Sequence, residues 1–277
     1  MASFDKPSIS PYRVQVLDRT CDILECIAAN GPELGVTQIT VDLGLSKSTV
    51  HRLLSALERR EFVRRAPNTG RYQLGIKLVE LGQKAADAEG LAAHAGVYLT
   101  RLVAETGETA HLGVLRDGEV VSLCAVESPK TLRTPATVGR RTPAHSSSLG
   151  KCMLAGLNSH ELTSVLDLLE LKRFTPRTIV TQHALLEELK KVRRQGYAVD
   201  DEEFEPGLKC VGAPVRDRSG RVRAALSIAG SANRLRRDVM SSRAATVMRI
   251  AAQLSAELGY RPKEDNAQPT RGQGLGG

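Results

Sequence analysis

Lys47, Ser48, Thr49, His51 and Arg52 stand within a single stretch of chain. Each ends in a hydroxyl, an imidazole or a cation that can bond a phosphate oxygen or a base edge. On a helix these residues lie opposite Val50, Leu53, Leu54 and Leu57, whose i, i+3, i+4, i+7 spacing makes one buried stripe. Ser46 is a good N-cap for that helix, because its hydroxyl accepts from a free backbone N–H. Upstream, Ile39 and Leu43 lie one turn apart, Gly44 suits the positive φ that ends a helix, and Leu45 plugs the angle. The pattern reads as two helices joined by a tight turn, the second shaped for the DNA major groove. Thr37 and Ser46 belong with the five residues above as candidate DNA contacts.

An amphipathic hairpin in an ordinary core would share much of this pattern, but the neighbouring residues argue against it. Phe62-Val63-Arg64-Arg65 and Arg71-Tyr72-Gln73-Leu74 read as short strands around a Pro67-Asn68-Thr69-Gly70 turn. A basic β-hairpin after a helix-turn-helix is a winged helix. From Lys47 to Lys77 there are eight Lys/Arg against Glu58 and Glu61, the footprint expected for a phosphate backbone. Arg64, Arg65 and Arg71 are the candidate phosphate contacts of the wing.

The whole chain has 277 residues, net charge +8 and pI near 9.4, enough length for two domains and a bias toward polyanions. A second basic stretch (Arg216, Arg218, Arg221, Arg223, Arg234, Arg236, Arg237, Arg243, Arg249) reads as mostly a solvated face, so total charge alone argues little. The five cysteines form no CxxC pair and no zinc-spaced cluster, and read as small reduced core residues. No metal or cofactor is expected. Aromatics are 3% with no Trp, which disfavours stacking-based single-strand or RNA binding. No signal peptide or membrane-length apolar run is found, so a cytoplasmic protein is expected.

Residues 1–12 read as a loose tail and 13–74 as the winged helix, opening with a helix that puts Val16, Leu17, Ile23, Leu24 and Ile27 on one side. Residues 75–89 read as an apolar linker helix. Residues 90–260 alternate helices and strands: hairpins at 110–126 and 208–229, helices near 147–157, 159–170 and 182–195, and a long helix near 236–258. This is an α+β domain with an antiparallel sheet, able to hold a small ligand under its helices. Residues 261–277 read as a disordered tail.

With Leu43-Gly44-Leu45-Ser46-Lys47-Ser48-Thr49-Val50-His51-Arg52, Gly70-Arg71-Tyr72-Gln73-Leu74-Gly75, His145-Ser146-Ser147-Ser148-Leu149-Gly150-Lys151, Thr175-Pro176-Arg177-Thr178-Ile179, Gly196-Tyr197-Ala198-Val199-Asp200-Asp201, Gly207-Leu208-Lys209-Cys210-Val211-Gly212 and Leu226-Ser227-Ile228-Ala229-Gly230 in this order, the chain resembles the IclR family of bacterial transcriptional regulators over nearly its whole length. The resemblance implies a winged-helix domain joined by a linker helix to a GAF-like α/β effector-binding domain. It also implies homodimers or homotetramers on palindromic operators, activators or repressors that answer a small organic or aromatic acid. The matching pocket residues are Asp200, Cys210 and Ser227, with backbone groups near Leu149 and Gly150. A helix starting there offers free N–H groups to a carboxylate.

Two departures stand out. Glu61 occupies a position where the family usually has the glycine of a left-handed cap, so either the cap differs here or a strain of roughly 1 kcal/mol or more is tolerated. Ala229 replaces a second hydroxyl residue, which points to a less polar or differently oriented ligand. Lys151 follows Gly150 as in a phosphate loop, but His145 and Cys152 break the Walker pattern, so nucleotide binding is rejected. An enzyme built on Asp200, Cys210, Ser227 and His145 lacks a nucleophile elbow, metal triad or cofactor loop. An architectural DNA binder without a ligand would need a filled pocket. His145 also reads as a structural histidine.

Overall fold

The structure, a computed structural model, describes residues 14–88 and 91–261. The tails expected at 1–12 and 261–277 therefore lie outside the described residues, apart from Arg261, as does residue 89 of the expected linker. The chain divides into two compact units, 1–88 and 89–277.

The first unit packs α1 (Gln15–Ala29), α2 (Val36–Leu43) and α3 (Lys47–Arg59) around Ile23, Ile27, Ile39, Val50, Leu54 and Leu57. Gly44 takes φ +62° between α2 and α3, and Ser46 caps α3 by accepting from the Thr49 N–H at 3.3 Å. The wing is β1 (Val63–Arg65) against β2 (Tyr72–Leu74), antiparallel. A rung that the sequence pattern does not announce widens it: Leu34 and Tyr72 exchange backbone bonds of 2.8 and 2.9 Å. α4 (Ile76–Ala88) comes next. Val16 and Leu17, expected on the buried side of α1, are 52% and 61% exposed, because the core contacts of α1 begin about two turns later at Ile23.

Glu61 does take the left-handed conformation, at φ +61°. The Phe62 N–H reaches the Leu57 carbonyl at 3.0 Å and the Glu61 N–H reaches the Glu58 carbonyl at 3.0 Å. That pair of bonds is a Schellman cap with a glutamate in the glycine position. The strain is held by what lies over it. A Cβ on Gly75 would stand 2.0 Å from the Glu61 carbonyl oxygen, while the Gly75 N–H bonds Phe62 and the Lys77 N–H bonds Glu61.

The second unit carries one six-stranded antiparallel sheet in the order β5-β4-β3-β8-β7-β6. Its elements in chain order are α5 (Leu91–Thr106), β3 (Thr109–Arg116), β4 (Glu119–Val126), β5 (Arg141–Pro143), a 3-10 turn (Ala144–Ser146), α6 (Ser148–Gly156), α7 (Ser159–Leu168), α8 (Gln182–Gln195), β6 (Ala198–Asp201), β7 (Leu208–Arg216), β8 (Val222–Ser231) and α9 (Arg237–Glu257). Strand alternation sorts the two faces. Ala110, Leu112, Val114, Val211, Ala213, Val215, Leu226 and Ile228 meet α5 and α9. Val120 and Ala225 meet α6, α7 and α8 on the other face. The Asp117-Gly118 turn has φ +52° and +79°, the two positive values a tight hairpin needs. The edge strands β5 and β6 have no counterpart among the strands expected from sequence. They are three and four residues long, too short to show a periodicity.

The second basic stretch is more tied down than a solvated face. Arg221 pairs Glu161, Arg249 pairs Glu105, Arg236 pairs Asp238, and Arg234 grips the buried Glu108 through two bonds of 2.7 Å. Nor are all cysteines core residues: Cys21 is exposed, and Cys124 and Cys210 are half-buried. No described helix is long and apolar enough to cross a membrane.

Replacing Glu61 with glycine removes the left-handed penalty and leaves both cap bonds in place. The E61G variant is expected to gain about 1 kcal/mol in chemical denaturation. An unchanged or lower stability would mean that the Glu61 side chain supplies a compensating contact.

Candidate functional site

On the first unit, Lys47, Ser48, His51 and Arg52 are exposed on α3, with Thr37 exposed on α2. Lys47, Arg52, Arg64 and Arg71 form no ion pair with another described residue, so their charge is available to a partner. The hydroxyls of Ser46, Ser48 and Thr49 are linked at 3.1 and 2.8 Å, which fixes the first turn of α3 but occupies part of their capacity. Arg65, expected to grip a phosphate, has protein partners as well. Its guanidinium pairs with Glu58 at 3.3 Å and lies 5.0 Å from the centre of the Tyr72 ring. The wing tip is held through Glu33, which accepts from Thr69 at 3.1 Å and Gln73 at 3.4 Å.

On the second unit, α6 is set down on the sheet by two glycines. A Cβ on Gly212 would lie 3.1 Å from the Leu226 carbonyl and 3.3 Å from Ser148, and one on Gly113 would lie 2.6 Å from Val120 and 3.2 Å from Leu149. Between the first turn of α6 and the strands lies a cavity of about 90 Å³. Asp200, Cys210, Ser227 and Leu149 all line it, together with Ser148 and Ala229. Gly150 does not. Its N–H is taken by the Ser147 hydroxyl at 3.1 Å, and it packs against Ala144, where a Cβ would meet backbone at 2.3 Å. The N–H groups of Ser148 and Leu149, in the first turn, have no protein acceptor among the described residues, as expected of a helix start. The cavity is thus a place where an anion meets unused donors.

The charges around it are few. Asp200 is 2% exposed and accepts from the Glu203 and Phe204 N–H groups at 2.8 and 3.4 Å. Burial pushes its carboxyl up to about 7. Burial, then the neighbouring Asp200, holds the Cys210 thiol well above its usual range, the opposite of an activated nucleophile. Lys151 is fully buried, with its ammonium 2.5 Å from both the Val199 carbonyl and Glu203. His145, the remaining member of the enzymatic cluster weighed from sequence, does not line the cavity. It is buried, its Nε2 meets the Lys172 carbonyl at 3.0 Å, and it stacks toward Phe174.

Sequence reasoning missed two titratable residues that line the cavity, His111 and Arg140. His111, register partner of Ser227, is pushed down to about 4 by burial and by the Arg140 charge, and is neutral near pH 7. A signal for it exists in the sequence. Ala110, Leu112 and Val114 alternate onto the α5/α9 face, so His111 must point toward α6. Arg140 lies in the connection between β4 and β5, where no periodicity places it. That connection is anchored by Lys130 on Glu108 at 2.8 Å and by the Thr134 hydroxyl on the Ala229 carbonyl at 3.0 Å.

Residues 16–67 match the family model of the IclR helix-turn-helix domain, and residues 83–256 match that of the bacterial transcriptional regulator IclR C-terminal domain. Among curated proteins, the HTH-type transcriptional regulator XynR of Escherichia coli is 35% identical over 247 residues, spanning 89% of this chain and 98% of that protein. KdgR of Dickeya chrysanthemi is 37% identical over 94% of this chain and 84% of its own. Among solved structures, the Thermotoga maritima IclR aligns at 32% identity and TM-score 0.76, over 90% of this chain and all of that one. An IclR homologue from Microbacterium hydrocarbonoxydans, complexed with 4-hydroxybenzoate, aligns at 25% identity and TM-score 0.79, over 88% and 99% of the two chains.

An aspartate titrates near 3.9 when unfolded, and Asp200 titrates at about 7 when folded. Folding therefore favours its protonated form. The associated stability is fully present below the unfolded value and is lost as pH rises through 7. Asp200→Asn keeps an acceptor for Glu203 and Phe204 but cannot ionise. Its stability relative to the wild type is expected to grow by up to about 1.4 kcal/mol per pH unit between pH 5 and 7, and to level off above pH 8. Urea denaturation at pH 5, 6, 7 and 8 measures this. A difference that is the same at every pH contradicts a buried ionising carboxyl.

Proposed function

The chain belongs to the IclR family of bacterial transcriptional regulators, with a helix-turn-helix DNA-binding domain and a C-terminal effector domain; on that premise we propose that it is a cytoplasmic, sequence-specific regulator whose affinity for a palindromic operator changes when a small organic or aromatic acid binds in its C-terminal unit. The observation that carries this reading is the cavity itself. It has unused N–H groups on α6 at one side and Asp200, Cys210 and Ser227 on the strands at the other. That is acceptor and donor chemistry for a molecule with a carboxylate and a second polar group. The relative that carries 4-hydroxybenzoate supports the same class of ligand.

In this reading Thr37, Ser46, Lys47, Ser48, Thr49, His51 and Arg52 meet the major groove, and Arg64 and Arg71 grip flanking phosphates, with Arg65 held mainly by Glu58. Activity as a homodimer or tetramer is supported by apolar side chains left open on the first unit. Val16, Leu17, Ile76 and Val79 are all more than half exposed, more than a lone helical unit leaves open without a use for it. Two heads on one palindrome square the contribution of each contact to specificity, so a modest effect of the acid on head geometry gives a large change in affinity. A ligand-free architectural role is disfavoured, because Ala229 leaves the cavity open.

Fluorescence anisotropy on DNA from the region beside the gene, against a scrambled duplex, tests the reading. Binding to the native fragment is expected to exceed the scrambled one by roughly 10³ or more, and Arg52→Ala to weaken the specific complex by about 1–3 kcal/mol. Equal, steeply salt-dependent binding to both fragments would overturn sequence-specific regulation.

A further inference from the structure

Arg140 is a cation without a counter-charge. It lines the cavity, and its guanidinium lies 5.7 Å from the centre of the Phe204 ring. No carboxylate among the described residues pairs with it. Its neighbour Arg141 is matched to Glu119 at 3.0 Å, so the missing partner is not a general property of this segment. The Arg140 charge is felt at His111 and at Cys210, which places it beside the polar groups of the cavity. Arg140 enters from the β5 edge of the sheet and Phe204 from the β6–β7 connection. Their contact therefore flanks the mouth from two sides, and the stacking orients the guanidinium fork.

Two cationic poles face this space, the first turn of α6 and Arg140. Of the remaining titratable groups only Asp200 can offset them, and less so as pH falls through about 7. His111 is neutral, the Cys210 thiol stays protonated, and Lys151 and Glu203 neutralise each other. Asp200 can be protonated near pH 7 and act as a donor. The cavity of about 90 Å³ is open on the Arg140 side, so a short chain with a carboxylate at each end can place one end inside and the other at the mouth. One carboxylate on α6 and one at the half-open mouth on Arg140 requires full desolvation of only the inner charge.

We propose that Arg140 is a specificity-determining residue of the effector cavity and that the effector is a short dicarboxylate, its outer carboxylate held by the Arg140 guanidinium and its inner one by the start of α6. The proposal rests on the reading of the cavity as the effector site.

The test uses the full-length protein, isothermal titration calorimetry, and two probes of equal size: succinate and its monoamide succinamate, which lacks the second charge. Wild type is expected to bind succinate about tenfold or more tightly than succinamate, the scale of a charge-assisted bond. Arg140→Gln is expected to erase that preference by weakening succinate more than succinamate, and Arg140→Lys to restore part of it. Equal affinity of wild type for both probes, or succinate binding that survives Arg140→Gln, overturns the assignment. If neither probe binds but 4-hydroxybenzoate does, the dicarboxylate class falls while the effector cavity stands. If no acid binds and operator binding is intact, both fall.

Discussion

The close seat of α6 on the sheet is the constraint on which the rest of the second unit depends. Gly113 and Gly212 sit where any side chain would collide with Val120, Leu149 or Ser148, so the first turn of α6 can approach the strands. That approach gives the N–H groups of Ser148 and Leu149 a hollow to face instead of a packed wall. Ser147 commits its hydroxyl to Gly150 alone. The helix start is ordered by its cap and still has donors left over, which is what an anion site needs.

A chain of buried polar contacts keeps that arrangement in register. Lys151, one turn into α6, holds Val199 and Glu203; the Glu203 N–H in turn holds Asp200. Helix, strand β6 and the segment after it are thereby tied by charge as well as by packing. Breaking such a buried pair typically costs about 3–5 kcal/mol, because the remaining charge is left without a partner. The same chain supplies no mobile charge to the cavity, since Lys151 is occupied by Glu203. What a ligand meets is a carboxyl of adjustable protonation, a thiol, hydroxyls and one open guanidinium.

Much of this is legible in the residues. The stripe of Val50, Leu53, Leu54 and Leu57 with Ser46 as cap fixes α3, while the pairing of Arg65 with Glu58 is not announced by it. That pairing arises because Glu58, in the last turn of α3, faces the wing, a tertiary contact that spacing along the chain does not encode. Asp200, Cys210 and Ser227 converge because β6, β7 and β8 are neighbours and their registers align Asp200 with Cys210 and Cys210 with Ala229. Gly150 departs from expectation, since one capping hydroxyl decides which N–H of a first turn stays free. Arg140 is invisible in the sequence because its role depends on the sheet edges meeting across the mouth, a property of the closed fold and not of any local pattern. Glu61 is flagged by the resemblance, which leaves a different cap or a tolerated strain; the left-handed φ of +61° is the second of these.

The hollow under α6 is the place where a small acid would act on DNA binding. The most direct measurement is operator affinity, read across a panel of small carboxylic acids, for wild type and for Ala229→Leu, which fills the hollow from β8. At least one acid is expected to change the affinity of the wild type about tenfold or more, the scale of a typical coupling between two sites. Ala229→Leu is expected to bind the operator normally but to respond to none. An acid that shifts both proteins equally would place its action elsewhere on the molecule and contradict the role assigned to the hollow.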